Sequence, residues 1–91
     1  MIVRQSGVFS RRVKKLHPAE KKALDNAVKE IIKDPAIGEL KVGDLAGVQV
    51  YKYKHNARQN LLAYRFTEDE LVLTLLALGS HENFYRDLKK Q

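Results

Sequence analysis

Two β-type segments stand near the middle of the chain, VQVYKYK at residues 48–54 and QNLLAYRF at residues 59–66. The first alternates with a period of two, which predicts Tyr51 and Tyr53 on one face of a strand and Val48, Val50, Lys52 and Lys54 on the other. The second segment alternates in the same way, and His55-Asn56-Ala57 between them has the composition of a turn. We therefore expect two strands joined by a hairpin.

The segment that follows predicts a third strand. Thr67-Glu68-Asp69-Glu70 is an acidic turn, and residues 71–78 are nearly all apolar. Periodicity alone would also allow a helix over this run. Its shortness, its Val72 and Thr74, and the closing Gly79 favour a strand in the centre of a sheet.

The residues before these strands have the spacing of helices. Met1 to Arg4 is a short apolar start suited to an edge strand. From Ser6 onward, Phe9, Val13 and Leu16 fall on one helical face. Pro18 is expected at the start of a second helix, which Asp34-Pro35 ends. The apolar residues of that helix repeat with helical spacing: Leu24, Ala27, Val28, Ile31 and Ile32.

The remaining segments complete one α+β domain over residues 1–91. Gly38, Gly43 and Gly47 punctuate the connection to the strands, and Ser80 can cap a last helical turn running through Phe84 and Leu88. The expected order is an N-terminal strand, an α-helical hairpin, an antiparallel β-meander and a short C-terminal helix.

Composition narrows the functional classes. The 91 residues suffice for one core and contain no cysteine, which suits a reducing cytoplasm. The N-terminus has no signal-peptide pattern and the apolar run at 71–78 is too short for a bilayer, so we expect a cytoplasmic protein without a membrane partner. A net charge of +6 favours an anionic partner, either nucleic acid or an acidic protein.

Two motifs resemble the RelE/ParE superfamily of bacterial toxins. The first is Val42-Gly43-Asp44-Leu45-Ala46-Gly47, ahead of the strands, and the second is the closing segment LGSHENFYR at residues 78–86. The closing segment is similar to the histidine-bearing ends of the RelE/YafQ-like mRNA interferases. The resemblance covers nearly the whole chain. It implies a toxin paired with a cognate antitoxin that wraps it, and a target that is messenger RNA at the ribosome or, in the ParE branch, DNA gyrase.

A basic stretch supplies candidate RNA-binding residues. Residues 48–66 contain Lys52, Lys54, Arg58 and Arg65 and no Asp or Glu. An acid-free stretch is a plausible phosphate-binding face. Lys52 and Lys54 project from one face of a strand, and Arg65 can join them if the register of the next strand allows. Singly, these residues could equally be a solvated polar surface.

His81 is the main candidate for proton transfer, because imidazole titrates near neutral pH and the RNase-type relatives carry a histidine there. The alternative is an exposed helix-capping histidine. Tyr85 can stack on a base or support proton transfer, unless it packs in the core beside Phe84. His55 is a second candidate beside Lys54 and Arg58, or an ordinary turn residue, and His17 is expected to have only a local role.

The sequence contains no pattern of a metal or cofactor site, and it leaves three functional hypotheses. The histidine spacing predicts no metal, and no cofactor motif is present. The basic helix residues (Arg11, Arg12, Lys14, Lys15, Lys21, Lys22, Lys29 and Lys33) form a solvated surface or hold ribosomal RNA or an acidic antitoxin segment. Three hypotheses remain: a metal-independent endoribonuclease, a gyrase-poisoning toxin, and a non-toxic nucleic-acid-binding domain.

Overall fold

Two helices pack on a five-stranded mixed sheet in this computed structural model, which describes residues 1–80, 84, 85 and 88. The elements are β1 (Ile2–Gln5), α1 (Gly7–Val13), α2 (Pro18–Lys33), β2 (Glu39–Leu40), a 3₁₀ turn (Gly43–Leu45), β3 (Gln49–His55), β4 (Arg58–Thr67) and β5 (Val72–Gly79). The sheet order is β1-β5-β4-β3-β2, with β1 parallel to β5 and the other pairs antiparallel. The α+β class, the edge position of β1 and the meander are confirmed.

The helices begin where side chains satisfy their free N–H groups. The Ser6 hydroxyl accepts from the Phe9 N–H at 3.1 Å and donates to the Leu76 carbonyl at 2.7 Å, which joins α1 to β5. Helix α2 starts at Pro18, as predicted. Leu24, Ala27 and Ile31 are buried, but Ile32 is 39% exposed. Ile32 is turned away from the core because it lies about 100° around the helix from Ile31.

The glycine-punctuated connection contains a strand that the sequence pattern did not predict. Residues Glu39 and Leu40 form β2, which pairs with Val50 and Gln49 of β3. Both β2 residues are exposed, with Leu40 at 63%. A two-residue strand without buried side chains leaves no alternation to detect.

The sheet buries side chains on both of its faces. On the helix-side face, α1 and α2 cover a cluster of Phe9, Leu24, Ala27, Ile31, Leu62, Tyr64, Leu73, Leu75 and Leu78. Tyr51 and Tyr53 pack against this cluster, as their alternation predicted. The opposite face buries Val48, Val50, Leu61, Ala63 and Ala77 with Phe84 and Leu88. Residues 84, 85 and 88 are helical, which agrees with the predicted C-terminal helix for the part described.

A β-bulge changes which β5 residues face the helices. Ala63 pairs with Ala77, but Tyr64 pairs with Leu75, so Leu76 is an extra residue in β5. Leu75 lies in the helix-side cluster, whereas Leu76 packs against the opposite one. The bulge therefore lets a nearly continuous apolar run serve both clusters.

One buried hydroxyl ties the end of α2 to the sheet. The Tyr64 hydroxyl donates to the Pro35 carbonyl at 2.7 Å and accepts from the Gly38 N–H at 2.9 Å and Gln49 Nε2 at 3.2 Å. Burial raises the pKa of this hydroxyl above its usual 10.0. A Cβ on Gly38 would lie 2.7 Å from Tyr64 Oη, so only glycine fits this close approach. Within the described residues, neither helix is long and apolar enough to cross a membrane.

Candidate nucleic-acid interface

Lys52 and Lys54 are exposed on the face of the sheet opposite the helices, at its β3–β4 hairpin end. Lys52 lies opposite Leu61, which in turn lies opposite Gly79 at the end of β5. Adjacent strands are roughly 4.8 Å apart, so the Lys52 backbone is about 10 Å from the last residue of β5. The two lysines therefore lie near the place where the chain leaves the sheet toward His81.

Arg65 lies on the same face of the sheet but at the other end of the strands. Its neighbour Tyr64 pairs with Gln49, whereas Lys52 pairs with Leu61. Arg65 is four residues from Leu61 along β4, or about 13 Å at roughly 3.3 Å per residue. The register therefore does not place Arg65 beside the two lysines.

Tyr85 lies beside a lysine that sequence reasoning did not consider. Lys41 Nζ is 5.9 Å from the centre of the Tyr85 ring and 3.5 Å from the Glu39 carboxylate. Burial lowers the pKa of Lys41, but the Tyr85 hydroxyl and Glu39 outweigh it and hold the pKa above 10.5. Phe84 is fully buried and meets Tyr85 edge-on at 5.0 Å, so Phe84 is the member of the pair that fills the core.

The Lys41–Tyr85 pair lies toward the Arg65 end of the sheet. The Lys41 N–H donates to the Val48 carbonyl at 2.8 Å, just before β3 begins. Nothing in the residue pattern of this glycine-rich connection distinguished Lys41, because its position depends on β2 pairing with β3. The opposite face thus has cations at both ends, with the covered apolar cluster between them.

His55 and Arg58 are directly opposite each other across the hairpin. His55 follows the alternation of Tyr51 and Tyr53, so it lies on the helix side rather than with Lys52 and Lys54. Asn56 and Ala57 make the turn with φ of 50° and 64°. Two positive φ values are the geometry of a type I′ hairpin. The basic residues that the sequence grouped together are therefore divided between the two faces and the two ends of the sheet.

A cleft on the helix side brings His55 and Arg58 together with residues of the helical hairpin. It has a volume of about 530 Å³ and is lined by Arg12, His17, Ala19, Glu20, His55, Asn56, Arg58, Gln59, Asn60 and Ser80. A deeper part reaches Tyr53, Leu78 and Gly79. From the residue pattern, His17 was expected to have only a local role, and Arg12 was one of eight basic helix residues. Only the packing of the α1–α2 junction on the hairpin brings these two residues to His55.

The cleft combines two arginines with a neutral phenol, that of Tyr53 in its deeper part. Burial raises the pKa of Tyr53 to about 12, and the Glu20 carboxylate adds to the shift. His81 lies outside the described residues, although Ser80, which precedes it, lines the cleft. Among the residues described, no cluster of three or more His, Cys, Asp or Glu side chains is arranged to hold a metal ion.

Comparison with solved structures finds this fold in bacterial toxins. A double mutant of Escherichia coli RelE in the free state has a TM-score of 0.76 at 16% identity, over 98% of this chain and 94% of that one. The RelBE2 toxin–antitoxin complex of Mycobacterium tuberculosis gives 0.73 at 20% identity, over 88% and 96%. The intact E. coli RelBE complex gives 0.71 at 18%, over 89% and 96%. At these identities the likeness is one of fold.

Family membership comes from the sequence itself. No curated protein sequence matches the chain significantly. Residues 3–89 match the model of a family described as the ParE-like toxin of type II bacterial toxin–antitoxin systems. The match spans almost the whole chain and agrees with the RelE-like fold. The chain therefore belongs to the ParE-like toxins of type II toxin–antitoxin systems, within the RelE/ParE superfamily.

Proposed function

We propose that this toxin is a metal-independent endoribonuclease that cleaves messenger RNA at the ribosome. The supporting observation is the strand register that joins Lys52, Leu61 and Gly79 in one row. Two exposed ammonium groups thereby lie near Gly79, where β5 ends, two residues before His81 in the sequence. Cations on a scissile phosphate and a histidine within reach are the groups that this reaction needs.

The reaction uses the RNA's own 2′-hydroxyl as its nucleophile. That oxygen attacks the adjacent phosphorus and the bond from phosphorus to the 5′-oxygen breaks, leaving a 2′,3′-cyclic phosphate and a 5′-hydroxyl. A base takes the proton from the 2′-hydroxyl and an acid returns one to the leaving oxygen. In this proposal Lys52 and Lys54 stabilise the charge on the phosphorane, and His81 takes part in proton transfer.

The other candidates bind RNA beyond the scissile phosphate. Arg65 is about 13 Å along the sheet from the row of Lys52, so it contacts a neighbouring phosphate rather than the reacting one. Tyr85, half-buried beside Lys41, offers a ring on which a base can stack. His55 and Arg58 contact the RNA chain where it crosses the β3–β4 hairpin.

An antitoxin is the proposed protein partner. Solved relatives include RelE with its RelB antitoxin and the RelBE2 toxin–antitoxin complex. This chain's charge of +6 favours an acidic partner segment. An antitoxin that covers the Lys52–Lys54 face would block phosphate binding and so neutralise the toxin.

The test is induction of the protein in cells, with the ends of messenger RNA mapped before and after. We expect new 5′-hydroxyl ends in the wild type. Lys52→Ala and Lys54→Ala should each slow cleavage on the order of 10²-fold or more, as loss of one group that stabilises transition-state charge does. His81→Ala should have a similar effect and Arg65→Ala a smaller one. Lys21→Ala and Lys22→Ala, on the exposed surface of α2, are matched lysine controls.

The same induction separates the alternatives. Intact RNA with altered DNA supercoiling would contradict the nuclease proposal and favour the gyrase inhibitor. A wild type that is harmless without any partner would contradict both mechanisms and favour a nucleic-acid-binding domain.

A further inference from the structure

The cleft on the helix side has the charge of an anion site. Arg12, His17, His55 and Arg58 line it from four different elements or turns, whereas Glu20 is the one carboxylate among its described lining residues. The Glu20 carboxylate already accepts a hydrogen bond from the His17 N–H at 3.0 Å. The arginines therefore have no full counter-charge within the described lining.

His55 gives this cleft a second, independent property. Its Nε2 is buried and makes no hydrogen bond to any residue that the structure describes. A buried polar atom without a partner costs roughly 1–3 kcal/mol, so the fold keeps this nitrogen at a cost. A ligand oxygen in the cleft would accept from Nε2–H and remove that cost.

Neutral donors complete the lining. The Asn60 side chain is on the helix-side face of β4 and lines the cleft, and the N-terminus of α2 adds a favourable dipole for an anion. Tyr53, in the deeper part, stays protonated at neutral pH and can donate as well. The two arginines, the Asn60 amide and a helix N-terminus together suit a group with several acceptor oxygens and a negative charge.

We infer that this cleft binds a phosphate group, carried either by RNA or by a free nucleotide. Arg12 and Arg58 donate to the phosphate oxygens, and His55 donates through Nε2. The site is distinct from the Lys52–Lys54 face, because it lies on the other side of the sheet. Its use in holding a nucleotide that flanks the cleavage position rests on the proposed nuclease function, whereas the binding itself does not.

The test is titration of the full chain with inorganic phosphate, adenosine 5′-monophosphate and a short single-stranded RNA, at constant ionic strength. Side-chain nitrogen signals of His55 and Arg12 are followed by NMR. We expect saturable shifts with each phosphate-bearing probe and none with adenosine. If RNA binds more tightly than the mononucleotide, the natural ligand is a phosphate of the RNA backbone. If the mononucleotide binds more tightly, the natural ligand is a free nucleotide.

Two variants and one control test the assignment. Arg12→Gln, at an exposed helix position, should weaken phosphate binding about 10-fold or more with no effect on folding. His55→Gln should weaken phosphate binding as well, because it removes the ring Nε2 donor. Lys29→Ala, on the exposed surface of α2 and outside the lining of the cleft, should leave phosphate affinity unchanged.

The inference is overturned if phosphate and the mononucleotide produce no saturable shift at His55. It is also overturned if Arg12→Gln and Lys29→Ala weaken binding equally, since that result would show general charge attraction. The proposed nuclease function can fail separately. A protein that binds phosphate in the cleft but cuts no RNA contradicts only the nuclease, and one that cuts RNA without this binding contradicts only the cleft.

Discussion

The two ends of the β3–β4 pair differ in how far their buried polar groups are hydrogen-bonded. At the end where β3 starts, the Tyr64 hydroxyl has one acceptor and two donors within 3.2 Å, and glycine allows the close approach. At the hairpin end, Ala57 adopts a positive φ and His55 Nε2 lacks a partner among the described residues. The first end stabilises the fold, whereas the second retains strain and unused donors beside a cleft. Such a division is typical of proteins whose binding sites are kept at some cost in stability.

Substitutions should therefore have opposite signs at the two ends. Changes at the Tyr64 end should lower the free energy of unfolding. Changes at the hairpin end should leave the free energy of unfolding unchanged or raise it.

The largest effect is expected for Gly38→Ala. The new methyl would lie 2.7 Å from Tyr64 and displace the hydroxyl from its partners. Overpacking and a lost hydrogen bond together predict a loss of about 2–4 kcal/mol in unfolding free energy by urea titration. Gly7→Ala is the matched control, because its methyl would meet only the end of Arg11 at 3.4 Å. Equal stabilities for the two variants would refute the close-approach argument.

Tyr64→Phe should destabilise less, by about 1–3 kcal/mol. It removes the acceptor of the buried Gly38 N–H and the donor to Pro35. Tyr51→Phe is the control, since the Tyr51 hydroxyl makes no hydrogen bond within the described part of the chain, and it should change stability by less than about 0.5 kcal/mol. A loss in the control as large as that of Tyr64→Phe would show that the buried network is not the cause.

Alkaline pH should weaken the fold partly through Tyr53. Its pKa is about 12 in the folded chain against 10.0 for the free side chain, so its contribution is complete below pH 10 and is lost as pH rises toward 12. Because this side chain is partly solvent-exposed, screening reduces the effect to the order of 1 kcal/mol. Tyr53→Phe should flatten the fall in unfolding free energy between pH 10 and 12. Tyr64 keeps part of the dependence, because its pKa is raised too. An unchanged slope in the variant would contradict the assignment.

The smallest expected effect is an increase in the free energy of unfolding, for Ala57→Gly. Ala57→Gly removes the cost of a positive φ at an L-residue and adds chain entropy to the unfolded state, for a net stabilisation of about 0.5–1 kcal/mol. Thermal unfolding would measure it as a rise in Tm. A destabilised variant would show that the hairpin is not strained.

Much of the fold could be predicted because local rules and tertiary packing agree. Helix α2 begins at Pro18, the residue type favoured at the first position of a helix. The alternation of Tyr51 and Tyr53 agrees with their packing against the helix-side cluster. The extra Leu76 and the short β2 were not predictable in this way. A bulge in an apolar run and a two-residue exposed strand leave no periodic signal.

The candidate site was predicted only in part, because register decides it. Their positive charge made Lys52 and Lys54 candidates for phosphate binding, and period-two alternation placed both on one face of β3. The distance of Arg65 from them depends on Gln49 pairing with Tyr64, which no local pattern specifies. The meeting of Arg12, His17 and His55 depends on how two helices dock on a hairpin nearly 40 residues away in sequence.

The parallel pairing of β1 with β5 has a consequence for how the toxin is made. Ile2 pairs with Val72 and Gln5 with Leu75, so β1 can join the sheet only after residues 72–75 have been synthesised. Contacts this distant in sequence form late, because the loop between them must close first. A nascent chain that stops short of residue 72 has both helices and no partner for β1. A toxin truncated anywhere before β5 would therefore lack the strand that joins β1 to the rest of the sheet.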